Sequence, residues 1–382
     1  MSSNIHQPTA ALLTPGGRGA VATIRFLGCC SLIDESSPSL FQAANSKPIA
    51  DQPINRIVFG HWGTEIKEEV VLCRTGETAL EIHCHGGDVA ARRIFTDLES
   101  LGVQIQSWQA QQQQLTGSFE TELLEALSKT TTQRTAQIVL EQRSGLLKTE
   151  LQFLSQVEWT ESNRAELESR LERLLHWSNF GLHLTQPWKV VLLGRPNVGK
   201  SSLINRLLGY DRAIVFDQPG TTRDVVTGET AFDGWPIMFS DTAGLREQAD
   251  ELESAGIELA RTEISSADSL ILLIDLSQPP TADDRSLIEE YPQAILVGHK
   301  ADLPDAWGSE LPVAALLVSS KTQQGLEELT EQFVRQLIPE IPERETPIPV
   351  TKRQIDYLTV AFEALNRNDE GVYRAALLEC LS

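Results

Sequence analysis

The sequence predicts a multidomain fold of α/β plus α type, and three observations predict it. Its 382 residues exceed one domain at roughly 150 residues apiece and imply two or three. Residues 1–108 and 187–338 alternate short apolar runs with turn signals and helical stretches, the pattern of α/β layers. Between and after them lie stretches rich in Leu, Glu, Arg and Gln at helical spacing, so the second α/β region reads as a domain inserted into a helical one.

Taken in order, residues 1–108 give period-two strand candidates in VATIRFLG, INRIVFGHWG, EEVVLCRTG and TALEIHCHGG. AARRIFTDLESLG instead spaces Ile94, Leu98 and Leu101 as a helix that stops at Gly102. The glutamine run 109–114 shows neither periodicity nor turn chemistry and is expected to be a joint, opening a first helical part at 109–186. That part holds no proline from 118 to 180 and one glycine, Gly145. From 187 to 338, WKVVLLG, IMFSD, SLILLID, AILVGHK and AALLVSS read as strands of a parallel sheet. The proline-rich segment 339–350 is expected to be an extended linker, and 351–382 a second helical part.

Composition narrows the function. Hydrophobic residues at 41% supply a core, while 53 acidic against 32 basic residues give a net charge of -21. Such a chain disfavours a broad nonspecific hold on nucleic-acid phosphates, so any RNA contact is local or supplied by a partner. No long apolar run or basic-flanked apolar leader is present, and a soluble, cytoplasmic protein without a membrane role is expected. The five cysteines have no zinc-ligand spacing, and His83 with His85 form only a same-face strand pair.

The chemistry concentrates after WKVVLLG. GRPNVGKS, residues 194–201, fits GxxxxGK[ST] between a strand and the helix SSLINRLLG. Gly194, Asn197, Val198 and Gly199 shape a loop whose N–H groups wrap phosphates; Lys200 brings a cation to the terminal phosphates, and Ser201, followed by Ser202, offers a hydroxyl to magnesium. PGTTRD supplies Thr221 and Thr222 for a magnesium-sensing switch, Thr222 as a ligand. In DTAG, Asp241 is expected to hold magnesium through water, with Thr242, Ala243 and Gly244 beside the terminal phosphate. HKAD places Lys300 and Asp302 after a strand; the aspartate accepts two hydrogen bonds from guanine, and Ser319, Ser320 and Lys321 complete the base site. Together these motifs describe a Ras-like P-loop G domain binding GTP.

DTAGLREQADELESAGIELA and AIVFDQPGTTRDVV resemble the two switches of the MnmE (TrmE) tRNA-modification GTPases. Leu245 stands where Ras-like GTPases carry a water-orienting glutamine. The resemblance implies that Glu253 takes over catalysis, and that Asn197 ligates potassium within the loop 217–222 when two G domains meet in a homodimer. It further implies a flavoprotein partner of the MnmG/GidA type, with tRNA reached through that partner. PGGRGAVATIRFLG and LEIHCHGG are similar to tracts of the family's folate-binding domain, making residues 1–108 folate-binding-like with Arg25 and Glu81 lining a 5-formyl-tetrahydrofolate pocket.

The sequence departs from the family in several places. WQAQQQQLTGSFETELLEALSKT stands where the family carries a folate-site lysine, and the C-terminal ALLECLS is not a CxGK tail, so Cys380 is not equated with that cysteine. Weak folate binding is therefore expected. His299 replaces the asparagine of NKxD, which removes an amide that ties the base loop to the phosphate loop and predicts reduced guanine affinity. The alternatives are a divergent regulatory GTP-binding protein without the modification chemistry, favoured by the two missing tracts, and a ribosome-assembly GTPase of the Era/Der type, opposed by the acidic chain.

Overall fold

The computed structural model describes residues 7–17, 19–209, 227–241 and 261–382. The chain divides into two compact units, Met1–Thr121 and Glu122–Ser382, each with its own sheet.

The sheet of the first unit has the order β3-β4-β5-β6-β2-β1-β7. Its strands are β1 (Thr9–Leu12), β2 (Val21–Leu27), β3 (Phe41–Ala43), β4 (Ile57–Trp62), β5 (Glu68–Arg74), β6 (Ala79–His85) and β7 (Gln104–Ile105). Neighbours pair antiparallel except β1 with β7. The period-two pattern sends Ala22, Ile24 and Phe26 of β2 and Leu80, Ile82 and Cys84 of β6 to the core, leaving Arg25, Glu81 and His83 on the other face. After the short α1 (Ser31–Asp34), helix α2 (Asp88–Ser100) covers the core face with Ala91, Ile94 and Leu98. The Trp62 indole N–H donates to Asp97 of that helix at 2.9 Å.

The glutamine run is not a joint. It forms α3 (Trp108–Thr116), whose first turn is capped by the Ser107 hydroxyl accepting from the Ala110 N–H at 3.1 Å. Gln111 is fully buried; its Oε1 accepts from Arg25 Nε at 2.6 Å and its amide donates to Thr9 Oγ1 at 3.0 Å. Glutamine at a buried helical position leaves no apolar period, since hydrogen bonds rather than methyl groups satisfy it. The first unit accordingly continues beyond residue 108 and ends within α4 (Ser118–Lys129).

In the second unit, α5 (Gln133–Arg143), α6 (Leu146–Gln156), α7 (Glu161–His176) and α8 (Ser178–Leu182) precede the six-stranded sheet β13-β12-β11-β8-β10-β9. Its strands are β8 (Trp188–Leu193), β9 (Thr227–Phe232), β10 (Trp235–Asp241), β11 (Ser269–Asp275), β12 (Ile295–His299) and β13 (Leu316–Val318). All pairings are parallel except β9 with β10. Every residue of β11 is buried, as a central parallel strand covered on both faces requires. Helices α9 (Lys200–Leu208), α10 (Ala282–Glu290) and α11 (Leu326–Leu337) flank the sheet sequence, and Phe333 of α11 meets Phe232 and Phe239 edge-on at 5.1 and 5.8 Å between ring centroids.

The proline-rich segment has no helix or strand and is pinned: Gln142 of α5 donates to the Thr346 carbonyl and accepts from the Ile348 N–H, both at 3.0 Å. The last helical stretch is two helices, α12 (Lys352–Asn366) and α13 (Glu370–Leu381). The break follows from Asn368 at φ +57° and from Asp369, whose carboxylate caps α13 by accepting from the Val372 N–H at 3.0 Å. Helix α5 also grips the β9–β10 turn. Thr132 donates its hydroxyl to the Gly234 carbonyl at 2.7 Å, and Arg134 pairs with Asp233 at 2.7 Å while lying 4.3 Å from the Trp235 ring centre.

Candidate functional site

The order of the second sheet places a topological switch between β8 and β11: the chain leaves β8 toward β10 on one side and returns to β11 on the other. Ligands of such sheets bind beyond the carboxyl ends of the strands at that point. Those ends hold the motif residues. Gly194 follows β8, Asp241 ends β10, Asp275 ends β11, His299 ends β12, and Ser319 follows β13.

The phosphate loop is shaped by backbone that side chains would obstruct. Gly194 has φ +138° and a Cβ there would lie 2.5 Å from the Leu273 carbonyl oxygen; at Gly199, φ +107°, a Cβ would lie 2.4 Å from the His299 ring. Asn197 takes φ +62°, which asparagine tolerates better than most residues. The loop opens directly into α9, whose first N–H groups and dipole suit an anion. Lys200 is buried and its ammonium donates to the Gly194 and Arg195 carbonyls at 3.0 and 3.1 Å, which holds the cation at the loop. Ser201 donates its hydroxyl to Asp241 Oδ2 at 2.7 Å. A hydroxyl and a carboxylate side by side form the hard-oxygen set that magnesium takes, so the residues present fit that ion.

Beside the loop lies a cleft of about 700 Å³ lined by residues from each predicted base motif, among them Asn197, His299, Lys300, Asp302, Ser320 and Lys321. Asp302 Oδ1 accepts from the Ser319 hydroxyl at 2.6 Å, with the Lys321 ammonium 4.0 Å from its other oxygen. The Ser319 hydrogen bond is the main cause holding the Asp302 carboxyl below its usual range, despite opposing desolvation. Lys300 pairs with Asp275 at 2.6 Å and reaches the Asn197 carbonyl at 3.4 Å.

His299 corrects the sequence expectation. It was expected to lose the tie between base loop and phosphate loop, yet its Nδ1 stands 2.9 Å from the Val198 carbonyl oxygen and its Nε2 2.8 Å from Ser320 Oγ. The imidazole is longer than the amide it replaces and spans the gap with a nitrogen at each end. Three cleft residues were missed in the sequence: Asn205, Arg206 and Leu303. Arg206 Nε donates to the Ser320 carbonyl at 2.7 Å, and its spacing of four from Ser202 on one helix was the available signal.

Thr221, Thr222, Thr242, Ala243, Gly244 and Glu253, with the loop 217–222, lie outside the described residues. In the first unit, Arg25 and Glu81 are cross-strand partners on one face of the sheet. Arg25 gives Nε to Gln111 and Nη1 to Gln112 at 3.0 Å, while its Nη2 is buried with no hydrogen-bond partner. Burial, opposed by the Glu81 charge, lowers the guanidinium pKa. An orphaned cationic donor is a place where a carboxylate would fit. His83 shares a hydrogen bond with Thr23 at 3.0 Å and His85 with Glu68 at 2.6 Å; among the described residues no group of three or more candidate ligands could hold a metal.

The family described as 50S ribosome-binding GTPase matches residues 189–300. Over nearly the whole chain, the sequence is 33% identical to the tRNA modification GTPase MnmE of Prochlorococcus marinus (strain MIT 9313), covering 97% of this chain and 90% of that protein. It is 29% identical to the MnmE of Fervidobacterium nodosum, covering 93% and 86%. Among solved structures, the G domain of the T. maritima FeoB iron transporter aligns with 27% identity and a TM-score of 0.30, covering 40% of this chain and all of that one.

Proposed function

This chain belongs to the MnmE family of tRNA modification GTPases, and from that membership we propose that it hydrolyses GTP in the service of wobble-uridine modification, together with a flavoprotein partner of the MnmG/GidA type. The observation that carries the reading is the guanine-side cleft, where Asp302, Ser320 and Lys321 adjoin a phosphate loop in a chain that matches its relatives well beyond the G domain.

In this reading Asp302 accepts from the guanine edge, and its partner Ser319 keeps the carboxylate ionised and oriented. The backbone of residues 194–199 and the Lys200 ammonium orient the phosphates. Ser201 and Asp241, with Thr222, would hold magnesium, which would supply positive charge to the phosphates. Glu253 orients or deprotonates the attacking water in place of the absent glutamine, and Asn197 would hold potassium, which would supply positive charge where two G domains of a homodimer meet. The unpaired Arg25 N–H, beside Glu81, takes an anionic group of a reduced folate such as 5-formyl-tetrahydrofolate.

The 50S ribosome-binding description covers residues 189–300 alone and does not by itself favour the ribosome-assembly alternative. Mass spectrometry of tRNA wobble uridines separates the readings. Deletion in the host is expected to abolish the modification, with restoration by the wild-type chain and none by Lys200→Ala. Unchanged uridines on deletion would reject the tRNA role.

A further inference from the structure

The His299 ring, 3% exposed, stands between the phosphate loop and the Ser320 loop. The Val198 carbonyl can only accept, so Nδ1 carries a proton and donates to it. Nε2 then offers a lone pair that accepts the Ser320 hydroxyl. Arg206 holds the same serine from its carbonyl side, and the ring packs directly against Gly199. Phosphate loop, base loop and Ser320 loop are thereby joined through one side chain.

Resting on the reading of this cleft as the guanine site, we infer that His299 is a positioning residue for the nucleotide that works only as the neutral Nδ1–H form, so that a second proton on the ring weakens nucleotide binding. An amide at this position could donate to the Val198 carbonyl at any pH; the imidazole makes both contacts conditionally. Protonating Nε2 turns an acceptor into a donor, and the Ser320 hydroxyl must surrender its hydrogen bond and rotate.

The charged groups around the ring do not offset that cost. Lys300 follows it in the chain and disfavours a second cation. Asp275 of β11 and Asp302 of the base loop favour one, but Asp275 is paired with Lys300 and Asp302 carries the Ser319 hydrogen bond. Lys321 and Arg206 line the same cleft. Burial is the largest influence and holds the imidazole below its ordinary value of 6.5. Because the folded pKa is depressed, the neutral strut is intact above that value and is lost as pH falls through the folded pKa.

The test uses the full chain and a fluorescent GDP analogue, titrated from about pH 7.5 down to about pH 4.5, so that the series runs well below the ordinary histidine value. The wild type is expected to lose at least about threefold more affinity on acidification than His299→Asn, a comparison in which the ionisation of the nucleotide cancels. At the higher pH, His299→Phe fills the space without hydrogen bonds and is expected to bind about tenfold more weakly, the effect of an unpaired buried carbonyl. Ser320→Ala added to that variant is expected to cost less than it does in the wild type, since its hydroxyl acts through the ring. Equal acid losses in wild type and His299→Asn would overturn the inference even if His299→Phe failed to fold, as would wild-type affinity in a folded His299→Phe. A wild-type chain that bound no GDP at the higher pH would overturn the guanine reading itself.

Discussion

The two sheets hold buried polar groups differently. At the carboxyl ends of the nucleotide sheet, three polar pairs among the described residues join different segments: Ser201 with Asp241, Asp302 with Ser319, and Asp275 with Lys300. In the first unit, Arg25 depends on Gln111 and Gln112, 86 and 87 positions away, and still leaves its Nη2 without a partner. A site assembled from strand-end loops distributes its polar groups among partners that also line the cleft. A strand residue facing a helix takes whatever that helix presents, and an unsatisfied donor there is a destabilising feature unless a ligand meets it.

The largest test of this contrast is Asp302→Asn. Losing two hydrogen bonds to a carboxylate at about 1.5 to 3 kcal/mol each lowers GDP affinity by roughly two to four decades. Xanthosine diphosphate, whose base presents an acceptor in place of the guanine donor, is expected to become the preferred ligand in paired titrations. An unchanged preference would remove HKAD from the base site and dissolve the comparison.

The same contrast explains what was legible in the sequence. The phosphate loop, Asp241 and Asp302 sit in contiguous motifs whose flanking strand and helix announce themselves by periodicity, and the structure brings them to one end of the sheet. His299 was legible as a departure but not in its effect, because the reach of an imidazole to both Val198 and Ser320 is a distance that no motif encodes. Helix α3 was illegible because its buried anchor is a glutamine. Arg206 was passed over because a basic residue in the last turn of a helix has a sufficient local explanation in the helix dipole.

Gln111→Ala tests the anchor. It removes the partner of Arg25 Nε and of Thr9, and is expected to destabilise the chain by about 1 to 3 kcal/mol in thermal or urea melts. Gln114→Ala on the exposed side of the same helix is expected to stay within about 0.5 kcal/mol of wild type. Equal effects would mean that the buried amide contributes nothing particular.

The unpaired Arg25 donor is tested by calorimetry with 5-formyl-tetrahydrofolate. Weak but measurable binding is expected, with Arg25→Ala lowering it about tenfold through loss of one charge-assisted hydrogen bond. No effect of the substitution would assign the orphaned N–H to some other role.

The smallest effect, on thiol reactivity, needs no mutation. The exposed Cys29 thiol is lowered by its hydrogen bond to Ser31, whereas burial raises Cys84 to about 11 and Cys380 to about 12. Timed alkylation of the native chain followed by peptide mapping is expected to label Cys29 first and Cys380 last. Early labelling of Cys380 would show that the α12–α13 pair opens more readily than its packing implies.

We propose that this G domain, which lacks the usual glutamine, hydrolyses GTP by potassium-assisted pairing with a second copy. The most direct measurement is the GTP turnover rate in potassium and in sodium across a range of protein concentrations, for the wild type and for Glu253→Ala. The rate is expected to rise with protein concentration, to be far higher in potassium, and to be lost in Glu253→Ala while nucleotide binding persists. Equal rates in the two salts, independent of concentration and untouched by the substitution, would contradict it.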